Sequence, residues 1–286
     1  MASQVADYEI TSSVLEDRTA PCLRARRPQR LGGGDGPVTI WILGPVARTS
    51  WAAARTRLEP AASVRTGNLP AWLEAGVSEW AQRPVVWVSA STAVTGTLAF
   101  PPAALDVPAR LRAVAAAARG AHALHEHGQL HGAICPQAVA LVPSGPDGDG
   151  PGSELRTGPG EGLSNAVLGP PSLANGEAPI AEVGYPPLAY IDPQLLRGEG
   201  GRWSDIWALG ATAHQVVTGS VPFPGLEELS VVQALSKLLS TPPPMLAKMP
   251  DAISEVVAEC LSTDPANRPA TANEVAERLD EAASKW

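Results

Sequence analysis

Lysine is nearly missing from this chain. Its three lysines are Lys237, Lys248 and Lys285, so the first 236 residues carry all their positive charge on arginine. Chemistry that needs a compact ammonium group in that part is excluded, because a guanidinium is a planar fork and not a point charge. Cysteine is scarce as well. Cys22, Cys135 and Cys260 are odd in number and far apart, which excludes a disulfide framework or a cysteine zinc knuckle and predicts a reducing, cytoplasmic setting. No apolar run approaches the roughly 18 residues of a membrane helix. The opening Met-Ala-Ser-Gln lacks the basic-then-apolar pattern of a signal peptide. The segment is therefore expected not to span a membrane itself, and to be one domain of something longer. The net charge is −8 and there is no basic block, which argues against nucleic acid or an anionic membrane as partner and for proteins. With only two Phe and three Tyr, the aromatic content rests on eight Trp, read as core and lobe-interface residues and not as a ligand box.

What is present falls into two halves. In the first hundred of the 286 residues, Val38-Thr39-Ile40-Trp41-Ile42-Leu43 and Val85-Val86-Trp87-Val88 are strand candidates bounded by Gly and Pro, with a short helix expected over 50–58. From Pro108 onward the pattern is helical: 109–127, 204–218, 226–239, 251–261 and 271–284. Strands first and helices after predict an α+β fold, with a small β-rich lobe over 1–100 and a larger helical lobe over 101–286. The Gly/Pro-rich stretch 143–162 is expected to be an exposed loop. Its Asp147-Gly148-Asp149-Gly150 lacks the spacing and closing glutamate of a calcium-binding EF-hand.

Five ordered motifs follow in the second half. They are Leu124-His125-Glu126-His127-Gly128-Gln129-Leu130-His131 running into Gly132-Ala133-Ile134-Cys135-Pro136-Gln137-Ala138; Tyr190-Ile191-Asp192-Pro193-Gln194; Ser204-Asp205-Ile206-Trp207-Ala208-Leu209-Gly210; Thr218-Gly219-Ser220-Val221-Pro222-Phe223; and Cys260 to Pro269 with Asp264-Pro265-Ala266-Asn267-Arg268 at its centre. In order and spacing this half resembles the large lobe of bacterial Ser/Thr protein kinases.

The resemblance assigns roles. Asp205 would accept hydrogen bonds from the backbone of the loop beginning at His131, and Arg268 would reach Gln194, which stands where the family has a glutamate, as a charge-to-amide contact. It also implies losses: Ala133, Cys135 and Ala138 stand at the positions of the catalytic aspartate, the lysine and the metal-binding asparagine, Trp41 at the phosphate-pairing lysine, and Asn165 at the metal-binding aspartate. Leu15 to Pro21 has no glycine to cover phosphates, and Trp51 to Arg55 has no glutamate. Phosphoryl transfer is mostly positioning and charge stabilisation, so the expectation is a pseudokinase: no enzyme, no cofactor and no metal.

Four of the five histidines, His122, His125, His127 and His131, crowd into ten residues; packing and loop hydrogen bonds are expected of them in preference to a zinc site. Between Gly158 and Ala211 there is no threonine, so a threonine switch in that segment is excluded. Thr271-Ala272-Asn273-Glu274 reads as a capping box, where a phosphate on Thr271 would face the positive end of a helix dipole. The chain resembles the cytosolic pseudokinase domain attached to the MviN (MurJ-type) lipid II flippases of mycobacteria and relatives. That resemblance implies phosphorylation by a PASTA-type receptor Ser/Thr kinase, recruitment of a forkhead-associated (FHA) domain protein by phosphothreonine, and attachment to an integral plasma-membrane protein of peptidoglycan synthesis. The alternatives are an enzyme that binds nucleotide unconventionally, or an unmodified structural scaffold.

Overall fold

The computed structural model describes residues 4–15, 22–32, 36–45, 51–80, 82–103, 105–143, 166–171, 187–226, 228–240 and 249–286. The fold is α+β and protein-kinase-like. A six-stranded antiparallel sheet in the order β1-β2-β3-β4-β6-β5 forms the N-terminal lobe. Its strands are β1 (Gln4–Val5), β2 (Tyr8–Leu15), β3 (Cys22–Arg26), β4 (Pro37–Pro45), β5 (Trp72–Trp80) and β6 (Arg83–Ala90), and helix α1 (Trp51–Ser63) lies between β4 and β5.

Strands β4 and β6 read as continuous apolar runs because both faces of the sheet are covered. Side chains alternate across a strand: Val38, Ile40 and Ile42 join Val5, Tyr8, Leu23 and Trp87 in one core. Trp41 on the other face joins Cys22, Ala54, Leu58, Val86 and Val88. Register follows, with Trp41 opposite Cys22 on β3 and Val88 on β6. The two ends of the sheet are tied by Tyr8, whose hydroxyl donates to Glu74 at 2.6 Å, and by Arg30, which bonds Asp7 at 2.6 Å and Glu74 at 2.7 Å.

A second, three-stranded sheet holds β7 (Gly96–Thr97), β8 (Val139–Leu141) and β9 (Ala166–Leu168), and belongs to a lobe built on helices. α2 (Val107–Glu126) starts at Asp106, whose side chain accepts from the Ala109 amide, with Pro108 in the first turn, where a missing N–H costs nothing. It is followed by α3 (Arg202–Thr218), α4 (Val231–Ser240), α5 (Asp251–Cys260) and α6 (Ala272–Ser284). α2 packs on α6, α3 and β9. α3 is buried over most of its length, with Trp207 stacked on Phe223 at 6.3 Å. It ends at Gly219, whose φ of 76° is the left-handed cap that favours glycine. Among the described residues no helix is long and apolar enough to cross a membrane. Most of the loop expected over 143–162 lies outside the described residues.

The lobes meet at a joint that leaves no room for a side chain. The Asn68 carbonyl accepts from the Leu168 amide at 2.9 Å, and Gly120 on α2 sits directly under it: a Cβ there would come within 2.7 Å of that carbonyl. Alanine is favoured over glycine by about 1 kcal/mol inside a helix, yet Gly120→Ala should destabilise by about 1–3 kcal/mol, because the overpacked atom is backbone and cannot rotate away. Urea unfolding of the variant checks this.

Candidate functional site

The site is built around the loop from His131 to Ala138 and a buried carboxylate. Asp205 sits in the first turn of α3. Its Oδ2 accepts from the His131 amide at 2.9 Å and from His125 Nε2 at 2.9 Å, and its Oδ1 accepts from the Gly132 amide at 2.8 Å. Gly132 has φ +70°, a conformation that glycine adopts at no steric cost, and this lets two successive amides converge on one carboxylate. Burial pushes the Asp205 carboxyl up, but the His125 hydrogen bond, the neighbouring His131 and His125 rings and the Gly132 amide outweigh it and hold it below its ordinary value.

His131 is fully buried and extends the network. Its Nδ1 accepts from the Ala133 amide at 3.2 Å, so Nε2 carries the proton and donates to the Gly169 carbonyl at 3.2 Å. Gly169 in turn donates its amide to the Ala138 carbonyl at 2.8 Å. The loop is thus stapled to the residue that follows β9. Ala133, Cys135 and Ala138 are all buried and present no charged group to the cleft. Trp41 lies across the same joint. A side chain at Gly169 would meet the Ala138 carbonyl at 3.2 Å and the Trp41 ring nitrogen at 3.6 Å. The Trp41 indole packs among Ala140, Val167 and Val88 and meets Trp72 edge to face at 5.6 Å. Asn165 lies outside the described residues; the residue brought to the loop is Gly169.

The connector between the lobes, which leaves β6 after Ala90, is held by side chains of β3 and β4. Thr39 Oγ1, on β4 beside Trp41, donates to the Thr92 carbonyl at 2.7 Å and accepts from the Val94 amide at 3.2 Å. Arg24 Nε and Nη2 both donate to the Val94 carbonyl at 3.2 Å. On α1, Arg57 Nη2 donates to the Leu130 carbonyl just before the loop, at 3.3 Å. The histidines divide between roles: His125 bonds Asp205, while His127 Nδ1 lies 2.8 Å from the carbonyl of Ala123 one turn earlier. Among the described residues no three metal-ligating side chains gather.

The expected Arg268–Gln194 contact is corrected. Arg268 pairs with Asp192 through two parallel bonds, Nη1 to Oδ2 at 2.7 Å and Nη2 to Oδ1 at 3.0 Å, with both side chains fully buried. Gln194 turns away, its Nε2 donating to the Thr263 carbonyl at 2.8 Å. The reason is local. The Asp192 carboxylate accepts from the Gln194 amide at 3.0 Å and from Ser204 Oγ at 2.9 Å, so the turn points Asp192 at the guanidinium and leaves Gln194 half-buried against the Thr263 carbonyl. The remaining Arg268 donors reach the Ser262 and Trp203 carbonyls at 2.9 and 2.8 Å, and the guanidinium lies 5.1 Å from the Trp207 ring centre. Neither Asp192 nor Gly169 was singled out from sequence. The signal for Asp192 was an acidic residue two positions before the weakened Gln194; for Gly169 it was a glycine closing an Ala-Val-Leu strand.

Two outcomes follow. Asp192→Ala strands a buried guanidinium and should cost about 3–5 kcal/mol, whereas Gln194→Ala should cost under about 1 kcal/mol; denaturant melts of the two variants separate them. Burial pushes His131 down from 6.5 to about 4. Between those values the unfolded chain binds a proton that the folded chain refuses, so stability is unaffected above pH 6.5 and falls as the pH drops towards 4. His214 is shifted the same way by burial. From about pH 7 to about pH 5 the His131 share is about 2 kcal/mol, and His131→Gln should flatten the measured pH dependence by that amount.

Residues 187–279 match the family model described as protein tyrosine and serine/threonine kinase. The chain is similar to a probable serine/threonine-protein kinase PkwA of Thermomonospora curvata, 28% identical over 179 residues, covering 62% of this chain and 21% of that protein. It is also similar to mitogen-activated protein kinase kinase kinase 18 of Arabidopsis thaliana, 31% identical over 121 residues, covering 37% and 34%. With serine/threonine-protein kinase pkn3 of Myxococcus xanthus it shares 34% identity over 89 residues, covering 29% and 16%. The chain thus spans between 16% and 34% of the length of these curated relatives. The comparisons overturn the expectation that the chain is not an enzyme: the matching family model is one of kinases and the relatives are named as kinases. In fold and in its C-terminal motifs this is a protein-kinase-like domain with Ser/Thr kinase relatives at low identity.

Proposed function

We propose that this kinase-like domain serves as a phosphothreonine docking module, modified at Thr271 by a PASTA-type receptor Ser/Thr kinase and then read by an FHA-domain protein, in the control of peptidoglycan synthesis by a membrane protein to which it is attached. The observation that carries the reading is the start of α6. Thr271 is its N-cap, half-buried, with extended backbone, and its Oγ1 accepts from the Glu274 amide at 3.1 Å. A phosphate there offers oxyanions to the open amides of the first turn, where negative charge is favoured. The competing charge is Glu274, and its carboxylate is turned back onto the Ala270 amide at 2.9 Å. The Arg268 clamp three residues before Thr271 anchors the entry into the helix.

Incubation with a PASTA-type kinase and MgATP should place phosphate on Thr271 and enable FHA capture. Thr271→Ala costs about 1 kcal/mol as a lost cap, so the decisive variant is Thr271→Asn, which keeps a cap and has no hydroxyl. It should lose both phosphate and capture; FHA binding that persists in Thr271→Asn overturns the assignment. A second reading, favoured by the kinase names of the relatives, is that the domain itself transfers phosphate from ATP to protein hydroxyls. Phosphate incorporation by the domain alone with MgATP, rising with its concentration, supports that reading.

A further inference from the structure

Between α1 and β5 lies a cavity of about 580 Å³, away from the Asp205 network and walled by Trp51 and Leu58 from α1, Trp72 and Val88 from the sheet, and Pro171 from the segment after β9. Its volume falls within that of small-molecule sites. Two indoles beside aliphatic walls suit a planar apolar body. The charges around it are mostly spent. Arg55 pairs with Glu59 one turn on. Glu74 is held by Arg30 and Tyr8, which keep its carboxyl below the usual range. The exception is Arg65, which lines the cavity just past the end of α1. It is exposed, and its guanidinium contacts the Ala62 carbonyl and pairs with no carboxylate among the described residues. Apolar walls and one uncompensated cation at the rim define a ligand with a flat hydrophobic body and a single negative charge.

We propose that this cavity is a binding site for a small aromatic monoanion, with its ring against the indoles of Trp51 and Trp72 and its carboxylate or equivalent acid towards Arg65. The site adjoins the loop machinery. Trp72 packs on Trp41 at 5.6 Å, Trp41 covers Gly169, and Pro171 lies two residues further along the chain. An occupant therefore presses on the same joint that holds the loop to the sheet.

The test is calorimetric titration of the domain with naphthalene-1-acetate and with 1-(aminomethyl)naphthalene, which share a ring and differ in charge. The acid should bind saturably at one equivalent, and the amine at least about tenfold more weakly. Arg65→Gln, at an exposed position, should weaken the acid about tenfold, as expected for one charge-assisted contact. Ala62→Phe, which fills the cavity from the helix surface, should abolish binding while circular dichroism reports a folded protein. Absence of saturable acid binding, equal affinity for the amine, or an acid affinity untouched by Arg65→Gln would each overturn the proposal. If Ala62→Phe fails to fold, the charge comparison and Arg65→Gln still decide it.

Discussion

The buried carboxylate of Asp205 is the interaction on which the arrangement of both lobes depends. Removed from water, it is stabilised only because two consecutive amides and an imidazole converge on it, and a buried charge without such partners is prohibitively costly. That convergence dictates the path of the loop after α2. It then sets the tautomer of His131, and the remaining His131 proton reaches the Gly169 carbonyl. Gly169 lies beneath Trp41 of the sheet. One carboxylate on α3 is thereby linked, through a histidine and a glycine, to the central strand of the other lobe.

A second buried charge system lies on the other side of the same helix turn. Arg268 reaches Asp192, the Trp203 and Ser262 carbonyls and the face of Trp207, so three stretches of chain are fixed by one side chain. A planar fork with five donors can do this and an ammonium cannot. The near-absence of lysine is thus compatible with a core that demands geometry from its cations. The connector follows the same logic, with Arg24 closing on the Val94 carbonyl through two of its nitrogens.

The interface between the lobes is apolar where charged groups were sought from sequence. Trp41, Ala140 and Val167 form one continuous cluster with Cys22 and Val88, and the connector's carbonyls and amide are satisfied by Thr39 and Arg24. Cohesion between the lobes accordingly comes from buried area together with a few strong backbone contacts. The cavity under α1 borders that cluster through Trp72, so a change in packing on one side is felt on the other: close-packed interiors transmit displacement and do not absorb it.

Much of the fold was legible in the chain because its signals are local. Apolar runs bounded by Gly and Pro mark β4 and β6, Pro108 opens α2, Thr271 caps α6, Gly219 ends α3, and the order of five motifs over the second half carries the kinase-like architecture. Asp205 belongs to this class, since a carboxylate in a helix otherwise apolar over several turns must find partners. The identity of those partners was less legible. The kinase resemblance implied Gln194 for Arg268, yet the partner is Asp192, because a tight turn decides which of two side chains two residues apart meets the guanidinium. Gly169 and Thr39 were passed over for the same reason: a glycine after a strand, or a threonine within one, acquires meaning only when another segment is folded against it. The chain by itself determined where the long helices lie and which strands, β4 and β6, are buried on both faces, through propensity, capping and apolar runs, whereas the first helix continues past the expected 58 to Ser63 and α4 starts at Val231 and not at 226. Tertiary structure alone decided which buried polar groups meet, since that is fixed by the requirement that each be satisfied once water is excluded.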